Sequence, residues 1–296
     1  MPAYDEIIIK SKTSSASFSP HHGGMMTSLI MQAPEGLREL LYFAPEYQFN
    51  NHQGMNGGAP FCFPICGRLL NSQYQHQGKT YHMNIHGFAY QMPWQVLNHD
   101  GHSISLCLRD NDISLEQYPF HFEIVLTYEI KDNELICKQS YKNTGTEPMP
   151  YYAGFHPYLK LPFSKAETFL AYEPQKRLQY NNDLTDIIGE AQLFTTPTNL
   201  LLPELNESLV MMSTNKKIYL TFPDHTQLEI EAQGVEDSYL FAYTQLYHRI
   251  AEPFLCIELW MSFPNSMNHK NAVCVLAPGA TEHGIFVLKL KSDNQK

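Results

Sequence analysis

Residues 121–141, HFEIVLTYEIKDNELICKQSY, carry the pattern that decides the fold. The first ten residues are rich in β-branched and aromatic side chains. Their polar members Glu123, Thr127 and Glu129 are two or four positions apart, as one face of a sheet requires. The next four residues, KDNE, are typical of a turn, and LICKQSY is typical of a returning strand. The segment therefore predicts an antiparallel pair of strands.

The same succession of strand and turn recurs along the chain. Residues 217–222 and 227–231 predict a second pair, joined by a turn at 223–225, and residues 284–290 predict a last strand. No long stretch keeps a helical period, and the 16 glycines and 19 prolines are spread out rather than collected in a linker. This pattern favours an all-β protein, a sandwich or a barrel, folded as a single domain over residues 1–296.

The bulk composition argues against several classes of protein. The chain has 296 residues, of which 43% are hydrophobic, enough for one large core or two small ones. It contains no run of about 18 apolar residues, so we expect no membrane span. The formal charge of −10 argues against a nucleic-acid partner, which would need clustered Lys and Arg. The first 20 residues lack the apolar centre of a secretory signal, so we expect a cytoplasmic protein with six reduced cysteines.

Three short segments, far apart in the chain, place a group that can transfer protons beside aromatic rings. They are NIHGF at 84–88, GFHPY at 154–158 and CIELW at 256–260. Imidazoles and carboxylates can move protons near neutral pH, and an aromatic ring offers a flat apolar platform for a sugar. The two histidines and the glutamate are therefore candidates for general acid–base work on a sugar.

Each of these three residues also has a purely structural interpretation. Glu258 lies in the apolar stretch FLCIELWM, where a carboxylate is rare unless it is paired or functional; the alternative is an edge-strand glutamate that faces solvent. His156 precedes a proline, which biases its backbone towards extended conformations, and the alternative is a structural turn. His86 precedes a glycine that permits close backbone approach, and the alternative is a half-buried histidine in a hydrogen-bonded loop.

Other polar residues give weaker signals. Arg68 follows the apolar run FCFPICG and suggests a fixed hydrogen-bond fork for oxygen atoms, although a surface arginine fits the same pattern. Cys62 and Cys66 have no second pair at zinc-site spacing, and His82 and His86 are four apart on a segment without helical character. We therefore expect no metal site. The sequence has no phosphate-binding glycine loop and no serine nucleophile motif.

Taken together, these segments resemble the aldose 1-epimerase (mutarotase) family, in its divergent branch of related proteins. PICGRL at 64–69 is similar to an early Gly-Arg segment of the family, and NIHGFA at 84–89 is similar to its His-Gly-Phe segment. GFHPY is similar to its His-Pro-Tyr segment, and ELW at 258–260, followed by PNSMN, to its Glu-centred segment. The resemblance runs over about residues 42–290 and keeps the family's order.

The resemblance implies a fold, a reaction and roles for the candidate residues. The expected fold is a large antiparallel β-sandwich, the galactose mutarotase-like supersandwich, with the sugar in a cleft on one sheet. The expected reaction interconverts the α and β anomers of an aldose without a metal or other cofactor. The corresponding residues are Glu258 as base, His156 as acid, His86 as a second donor near the ring oxygen, Arg68 and Trp260 as sugar-binding residues, and Asp237 as a candidate for a family aspartate that binds a sugar hydroxyl.

Two positions depart from the family's pattern. Tyr90 stands where an arginine commonly follows the His-Gly-Phe-Ala segment, which disfavours a phosphorylated substrate. Leu259 stands where a proline commonly separates the glutamate from the tryptophan, which can reshape the segment around the base. We therefore expect a small neutral sugar, an unphosphorylated aldose or the reducing end of a short sugar. The identity of that sugar and the oligomeric state are left open by the sequence.

Two other functions are compatible with the sequence. One is a sugar-binding or regulatory module on the same fold, whose cleft binds a sugar but does not turn it over. The other is a glycoside hydrolase or lyase, which would need a second carboxylate within about 5–9.5 Å of the first. The sequence shows no evident partner for Glu258 in that role. Anomer exchange of a free sugar distinguishes the three functions.

Overall fold

The computed structural model describes residues 6–44, 55–234, 240–270 and 273–292, and its regular structure is nearly all β-strand. The helices are short: α1 is Asp112–Gln117 and α2 is Ser266–His269, with single 3-10 turns at Leu70–Ser72, Ala89–Gln91 and Pro203–Leu205. None of the helices in this part of the chain has the length and apolar character that a membrane crossing requires.

The strands are β1 Ile7–Lys10, β2 Ser14–Ser19, β3 Met25–Ala33, β4 Gly36–Glu39, β5 Phe61–Cys62, β6 Gln73–His76, β7 Lys79–His82, β8 Gln95–His99, β9 Ser103–Arg109, β10 Phe122–Lys131, β11 Glu134–Asn143, β12 Met149–Tyr151, β13 Gly154–Phe155, β14 Tyr158–Lys160, β15 Phe169–Tyr172, β16 Pro174–Tyr180, β17 Ile187–Ala191, β18 Thr198–Asn199, β19 Ser208–Met212, β20 Lys217–Thr221, β21 Thr226–Gly234, β22 Tyr243–Tyr247, β23 Phe254–Trp260, β24 Cys274–Leu276 and β25 Thr281–Ser292.

The strand pair predicted from residues 121–141 lies inside a nine-stranded sheet of order β18-β15-β20-β21-β25-β11-β10-β9-β8. β10 and β11 pair antiparallel from Phe122 opposite Asn143 to Lys131 opposite Glu134. The predicted alternation is confirmed, because β10 is buried at every second position while its polar positions are partly exposed. The turn is shorter than predicted, since only two residues separate the strands and Asp132 adopts a left-handed φ of +48°.

A second sheet has eight strands, and seven of them lie in the order β17-β16-β19-β22-β23-β13-β5. The eighth strand, β14, pairs with the same edge of β23 as β13 does. All its pairings are antiparallel. Every residue of β23 is buried, because the strand has neighbours on both sides and apolar side chains on the face towards the core. This sheet carries the candidate site.

The core lies between the two large sheets and is built mainly from aromatic side chains. Phe155 of β13 stacks on Phe286 of β25, with ring centroids 4.4 Å apart. Phe61 of β5 faces Tyr141 of β11 at 6.3 Å. All four rings are at most 2% exposed. Two antiparallel sheets packed face to face over such a core form a β-sandwich, and the predicted fold class is confirmed.

A smaller four-stranded sheet, β1-β2-β3-β4, joins the nine-stranded sheet through a buried arginine. Arg38 of β4 donates to Thr226 Oγ1 at 2.8 Å and to Glu35 Oε1 at 2.8 Å, and it forms an ion pair with Asp224. Its guanidinium lies 5.7 Å from the ring centroid of Phe222. Because a buried charge needs such partners, these contacts fix the smaller sheet against the start of β21. A single domain over the whole chain stays our prediction.

The turn that carries His86 packs closely against a neighbouring loop at Gly87. Gly87 has a φ of +73°, and a Cβ there would lie 2.2 Å from the carbonyl oxygen of Phe63. Gly78 has a similar φ of +77°, but its Cβ position has no neighbour within 4 Å. We expect Gly87→Ala to lower the free energy of unfolding by about 1–3 kcal/mol more than Gly78→Ala, because only the first adds a clash to the backbone strain. Urea denaturation measures both losses, and equal losses would contradict the clash.

Candidate active site

Glu258 lies near the end of β23, on the face of the eight-stranded sheet that turns away from the core. It is opposite Gln245 of β22 and is 2% exposed. The edge-strand alternative is wrong, because β23 has partners on both sides. Side chains two residues apart point to the same face, so Glu258 and Trp260 both line a cavity while Leu259 is buried in the core. The leucine that replaces the family's usual proline therefore faces away from that cavity.

His156 lies beside this strand because residue 154 is a glycine. Gly154 pairs with Trp260, and a Cβ at Gly154 would lie 2.7 Å from Cδ1 of that indole. Two residues later the chain is held again, since the backbone N–H of His156 donates to the carbonyl of Pro60 at 3.0 Å. The imidazole stacks on Tyr158 with centroids 4.9 Å apart. These contacts keep His156 buried and fix its orientation.

His86 lies on a strained turn between β7 and the 3-10 turn at Ala89–Gln91. Its φ is +64°, a value that costs a residue with a Cβ and is held only by its surroundings. The backbone N–H of His86 donates to the carbonyl of Gly67 at 2.9 Å, and Nδ1 accepts from the N–H of Gly67 at 3.1 Å. Because Nδ1 is the acceptor, the proton of the neutral ring is on Nε2.

The fold brings the side chains of His86, His156 and Glu258 together, as the sequence predicts. Nε2 of His156 lies 3.2 Å from Oε2 of Glu258, and the two imidazole centroids are 5.1 Å apart. Each of the three residues offers one ligand atom, and these three atoms all lie within 4.8 Å of one another. Two imidazoles and a carboxylate are also a set that zinc uses, so among the described residues these three are the group that could hold a metal ion.

Burial disfavours charge on both members of the Glu258–His156 pair. It raises the pKa of Glu258 well above the usual carboxyl range, and Cys62 and Glu207 add to that effect. Burial also lowers the pKa of His156 to about 4. The pKa of His86 is lowered well below its usual value by burial, and by the charges of His156 and Arg68. Both histidines are therefore neutral near pH 7 in the resting site.

Several buried polar atoms around the cavity lack a hydrogen-bond partner. Within the described residues they include Nδ1 of His156, Oε2 of Glu258 and Nε1 of Trp260. The contact of Oε2 with Nε2 of His156 is close but is not aligned as a hydrogen bond. Buried polar groups are normally satisfied, so this concentration of unpaired atoms in one cavity makes it a candidate binding site.

The cavity has a volume of about 240 Å³ and is open to solvent on one side. Three residues of its wall, His86, Leu184 and Glu207, have left-handed φ values of +64°, +55° and +50°. Backbone strain of this kind tends to collect at functional sites. The residues around the cavity are Met55, Asn56, Gly67, Arg68, Ile85, His86, Tyr90, His156, Tyr158, Tyr180, Leu184, Glu207, Gln245, Tyr247, Arg249, Glu258, Trp260 and Pro264.

Comparison with known proteins identifies the family. A family model described as aldose 1-epimerase matches residues 5–289, nearly the whole chain. The chain belongs to the aldose 1-epimerase family. It is 29% identical to Protein LacX of Lactococcus lactis over 156 residues, 51% of this chain and 49% of that protein. The matched region is thus about half the length of this curated relative.

Solved structures support the fold assignment. A galactose mutarotase related enzyme from Lactobacillus acidophilus superposes with a TM-score of 0.82 at 22% identity, covering 97% of each chain. A galactose mutarotase-like protein from Lactobacillus casei superposes with a TM-score of 0.80 at 21% identity, covering 97% of this chain and all of the other. At these identities the likeness shows the fold, the supersandwich expected from the sequence.

The remaining predicted sugar-binding residues divide into two groups. Arg68 and Trp260 lie in the cavity wall, and Arg68 is exposed there, beside the tyrosine that replaces the family's usual arginine, Tyr90. Asp237 lies outside the described residues. The roles assigned to these side chains stay predictions.

The structure adds polar residues that the sequence does not single out. Nε2 of Gln245 donates to Oε2 of Glu207 at 2.9 Å, and the hydroxyl of Tyr180 donates to Oε1 of Gln245 at 3.0 Å. On the same side, Nε of Arg249 donates to the hydroxyl of Tyr247 at 2.8 Å. Glu207 is thus a second carboxylate in the wall of the cavity that Glu258 lines. Nothing in the surrounding PELNESLV distinguishes it from a loop glutamate, so only the fold could reveal it.

NMR titration of the imidazoles tests the burial of His156. Because burial disfavours the imidazolium, we expect this ring to stay neutral until the pH falls to about 4, whereas a solvated histidine protonates near pH 6.5. His156→Asn assigns the signal. Glu258 is itself protonated in this pH range, because burial raises its pKa, so Glu258→Gln should leave the pKa of His156 nearly unchanged. A titration near 6.5 in the unmodified protein would show that the ring is solvated.

Proposed function

We propose that this protein is an aldose 1-epimerase that interconverts the α and β anomers of a neutral aldose. The observation that carries the proposal is the 3.2 Å contact between His156 and Glu258 in a cavity whose polar atoms lack partners. An imidazole and a carboxyl group in contact are an acid and a base that can act on one substrate. Membership of the aldose 1-epimerase family supports the same reaction.

The reaction needs two proton transfers at neighbouring oxygens. Opening the sugar ring removes the proton of the anomeric hydroxyl and protonates the ring oxygen. Both oxygens are bonded to the same carbon, so an adjacent acid and base can reach them together. Glu258 as a carboxylate takes the hydroxyl proton, and His156 as an imidazolium protonates the ring oxygen. The aldehyde then rotates about one bond, and the reverse transfers close the ring as the other anomer.

The pair works with a single proton between its members. Burial favours the neutral carboxyl group and the neutral imidazole, so the resting site keeps the proton on Glu258. Passing it to Nε2 of His156, 3.2 Å away, produces the carboxylate and the imidazolium that the reaction uses. Their mutual attraction offsets part of the cost of two buried charges, and the Nε2–H of His86 adds a donor beside the ring oxygen.

The cavity wall suits a neutral sugar. Arg68 and Glu207 are close enough for the arginine charge to act on the pKa of Glu207, and Gln245 holds the carboxylate by a hydrogen bond. A guanidinium donates to sugar hydroxyls and a carboxylate accepts from them. The negative charge of Glu207 also offsets the positive charge of Arg68, which a phosphate group would need for binding. Together with Tyr90 in place of an arginine, this balance favours an unphosphorylated substrate.

Glu258→Gln tests the base. The amide keeps the shape of the side chain and removes its basicity, so we expect enzyme-catalysed anomer exchange to fall by about 10²–10⁴-fold. Binding of the sugar should stay within several-fold. Exchange NMR on glucose and galactose, corrected for the spontaneous reaction, measures the rate, and saturation-transfer NMR measures binding.

Glu207→Gln is the matched control, because it makes the same change in the same cavity and leaves both residues of the proposed acid–base pair in place. It should raise KM more than it lowers kcat. If Glu258→Gln keeps nearly all the exchange rate, the base is wrongly assigned. If the unmodified protein binds sugars without exchanging them, the protein is a sugar-binding module on the same fold.

The dependence of the rate on pH should be bell-shaped. The pKa of His156 is lowered to about 4. Below that pH the imidazole is protonated while Glu258 keeps its own proton, so the pair carries two protons and the rate falls. At high pH the pair loses its only proton, and this limb lies well above the usual carboxyl range because the pKa of Glu258 is raised. Polarimetry of kcat/KM between pH 3 and 9 measures both limbs. A rate that does not change over this range would contradict the proton-sharing pair.

A further inference from the structure

Asn265 lies between β23 and α2, directly after the cavity-wall residue Pro264, and is 2% exposed. Its φ is +62°, a left-handed value that asparagine and aspartate adopt more readily than most residues with a Cβ. A buried carboxamide needs hydrogen-bond partners. The partners of Asn265 come from segments on two sides of the catalytic cavity.

On one side of the cavity, Asn265 holds the segment that carries Arg68. Its backbone N–H donates to the carbonyl of Arg68 at 2.9 Å, and its Oδ1 accepts from the backbone N–H of Leu70 at 3.1 Å. A Cβ at Gly67 would lie 2.7 Å from Cγ of Pro264, so the two segments are also in close contact. The backbone on both sides of Arg68 is therefore fixed, which limits where its guanidinium can reach.

On the other side, Asn265 holds the tip of the hairpin formed by β16 and β17. The atom that faces Leu70 is the oxygen, because a backbone N–H can only donate, so the amide nitrogen Nδ2 points the other way. Nδ2 donates to Oδ1 of Asp186 at 3.0 Å, and Nε2 of His269 lies 2.6 Å from the same oxygen. The hydrogen bond from Asn265 lowers the pKa of Asp186, and His269 acts in the same direction. Asp186 is therefore a carboxylate at neutral pH.

The hairpin tip, residues 181–186, is rigid in itself and carries a wall residue of the cavity. Oδ1 of Asn181 accepts from two backbone N–H groups of the tip, at 2.9 and 3.2 Å. Leu184 adopts its left-handed φ of +55° within the tip and lines the cavity. In the described part of the chain, β17 is an edge strand that pairs with β16 alone. The position of the tip at the cavity is therefore set by β16 and by the contacts of Asp186.

We propose that Asn265 is a positioning residue that sets the width of the catalytic cavity. It holds the Arg68 segment through its backbone N–H and Oδ1, and the hairpin tip with Leu184 through Nδ2. This rests on the proposed function, because Arg68 and Leu184 line the cavity in which Glu258 and His156 act on the sugar. Asn265 is not itself a wall residue. A change in its contacts therefore weakens sugar binding and leaves the proton transfers intact.

A reciprocal exchange of the two partners tests the proposal. In Asn265→Asp, Oδ1 still accepts from Leu70 and the left-handed φ is still tolerated, but a carboxylate oxygen replaces Nδ2 and faces Asp186. We expect KM for the best monosaccharide to rise by about 10-fold, because a hydrogen bond is replaced by repulsion, and kcat to stay within about twofold. Adding Asp186→Asn restores the pair with donor and acceptor exchanged, so KM should return to within about threefold of its original value. Exchange NMR of the two anomers measures both constants.

Amide hydrogen exchange of residues 181–186 measures the attachment of the tip independently of turnover. It should be faster in Asn265→Asp and slow again in the double variant. Asn143→Asp is the matched control, because Asn143 is a buried asparagine of β11 whose amide also bridges backbone groups but does not line the cavity. It should lower stability to urea without changing KM or the amide exchange of the tip.

The proposal is overturned if Asn265→Asp behaves like Asn143→Asp, with lower stability but unchanged KM. It is also overturned if kcat falls as much as KM rises, or if the double variant recovers nothing. If Asn265→Asp does not fold, Asp186→Ala removes the same contact at the half-buried end of the tip. The same rise in KM is then expected, and an unchanged KM contradicts the role of Asn265.

Failure of the proposed function is distinguishable from failure of this positioning role. If no sugar is exchanged above the spontaneous rate, the epimerase proposal fails by itself. Amide hydrogen exchange of the tip and saturation-transfer NMR of glucose and galactose then decide the role of Asn265. Faster amide exchange and weaker sugar signals in Asn265→Asp, both recovered in the double variant, support it. Amide exchange or sugar signals that do not change in Asn265→Asp overturn it.

Discussion

The constraint on which the site depends is the burial of a carboxyl group and an imidazole in contact with each other. Removing either charge from water is costly, and the cost is recovered only in part when the two groups face each other. The sandwich makes this arrangement possible because β23 has neighbours on both sides and places Glu258 where it cannot move away from His156. The consequence is that both groups are neutral in the resting site.

Strain and unsatisfied polarity coincide in this cavity, and each has a cost for stability. His86, Leu184 and Glu207 adopt left-handed backbone conformations around it, while His156 and Glu258 keep polar atoms without aligned partners. A protein selected for stability alone would remove such features, for example by replacing the buried pair with apolar side chains. Their persistence at one place is better explained by a ligand that satisfies these atoms when it binds than by packing.

The sequence predicts those parts of the molecule whose signal is local. The β10–β11 hairpin follows from alternation within 21 residues, and Glu258 is noticeable because its immediate neighbours are apolar. The sequence does not single out Glu207 and Gln245, because polar residues are ordinary in a loop or along a half-buried strand. They come to line the same cavity as Glu258 through the strand order β19-β22-β23. Such an order is a product of long-range pairing that no short segment encodes.

Chemistry and specificity come from different structural sources in this protein. Glu258 and His156 are positioned by backbone pairing within the eight-stranded sheet, where a small displacement would disturb several strands at once. The part of the cavity wall around Arg68 and Tyr90 is built from loops, which are constrained mainly by their own turns and by hydrogen bonds to one another. Loops tolerate change better than the elements they connect. A fold of this kind can therefore change the ligand that its cavity accepts with few substitutions in the loops, while the positions of Glu258 and His156 stay fixed by the sheet.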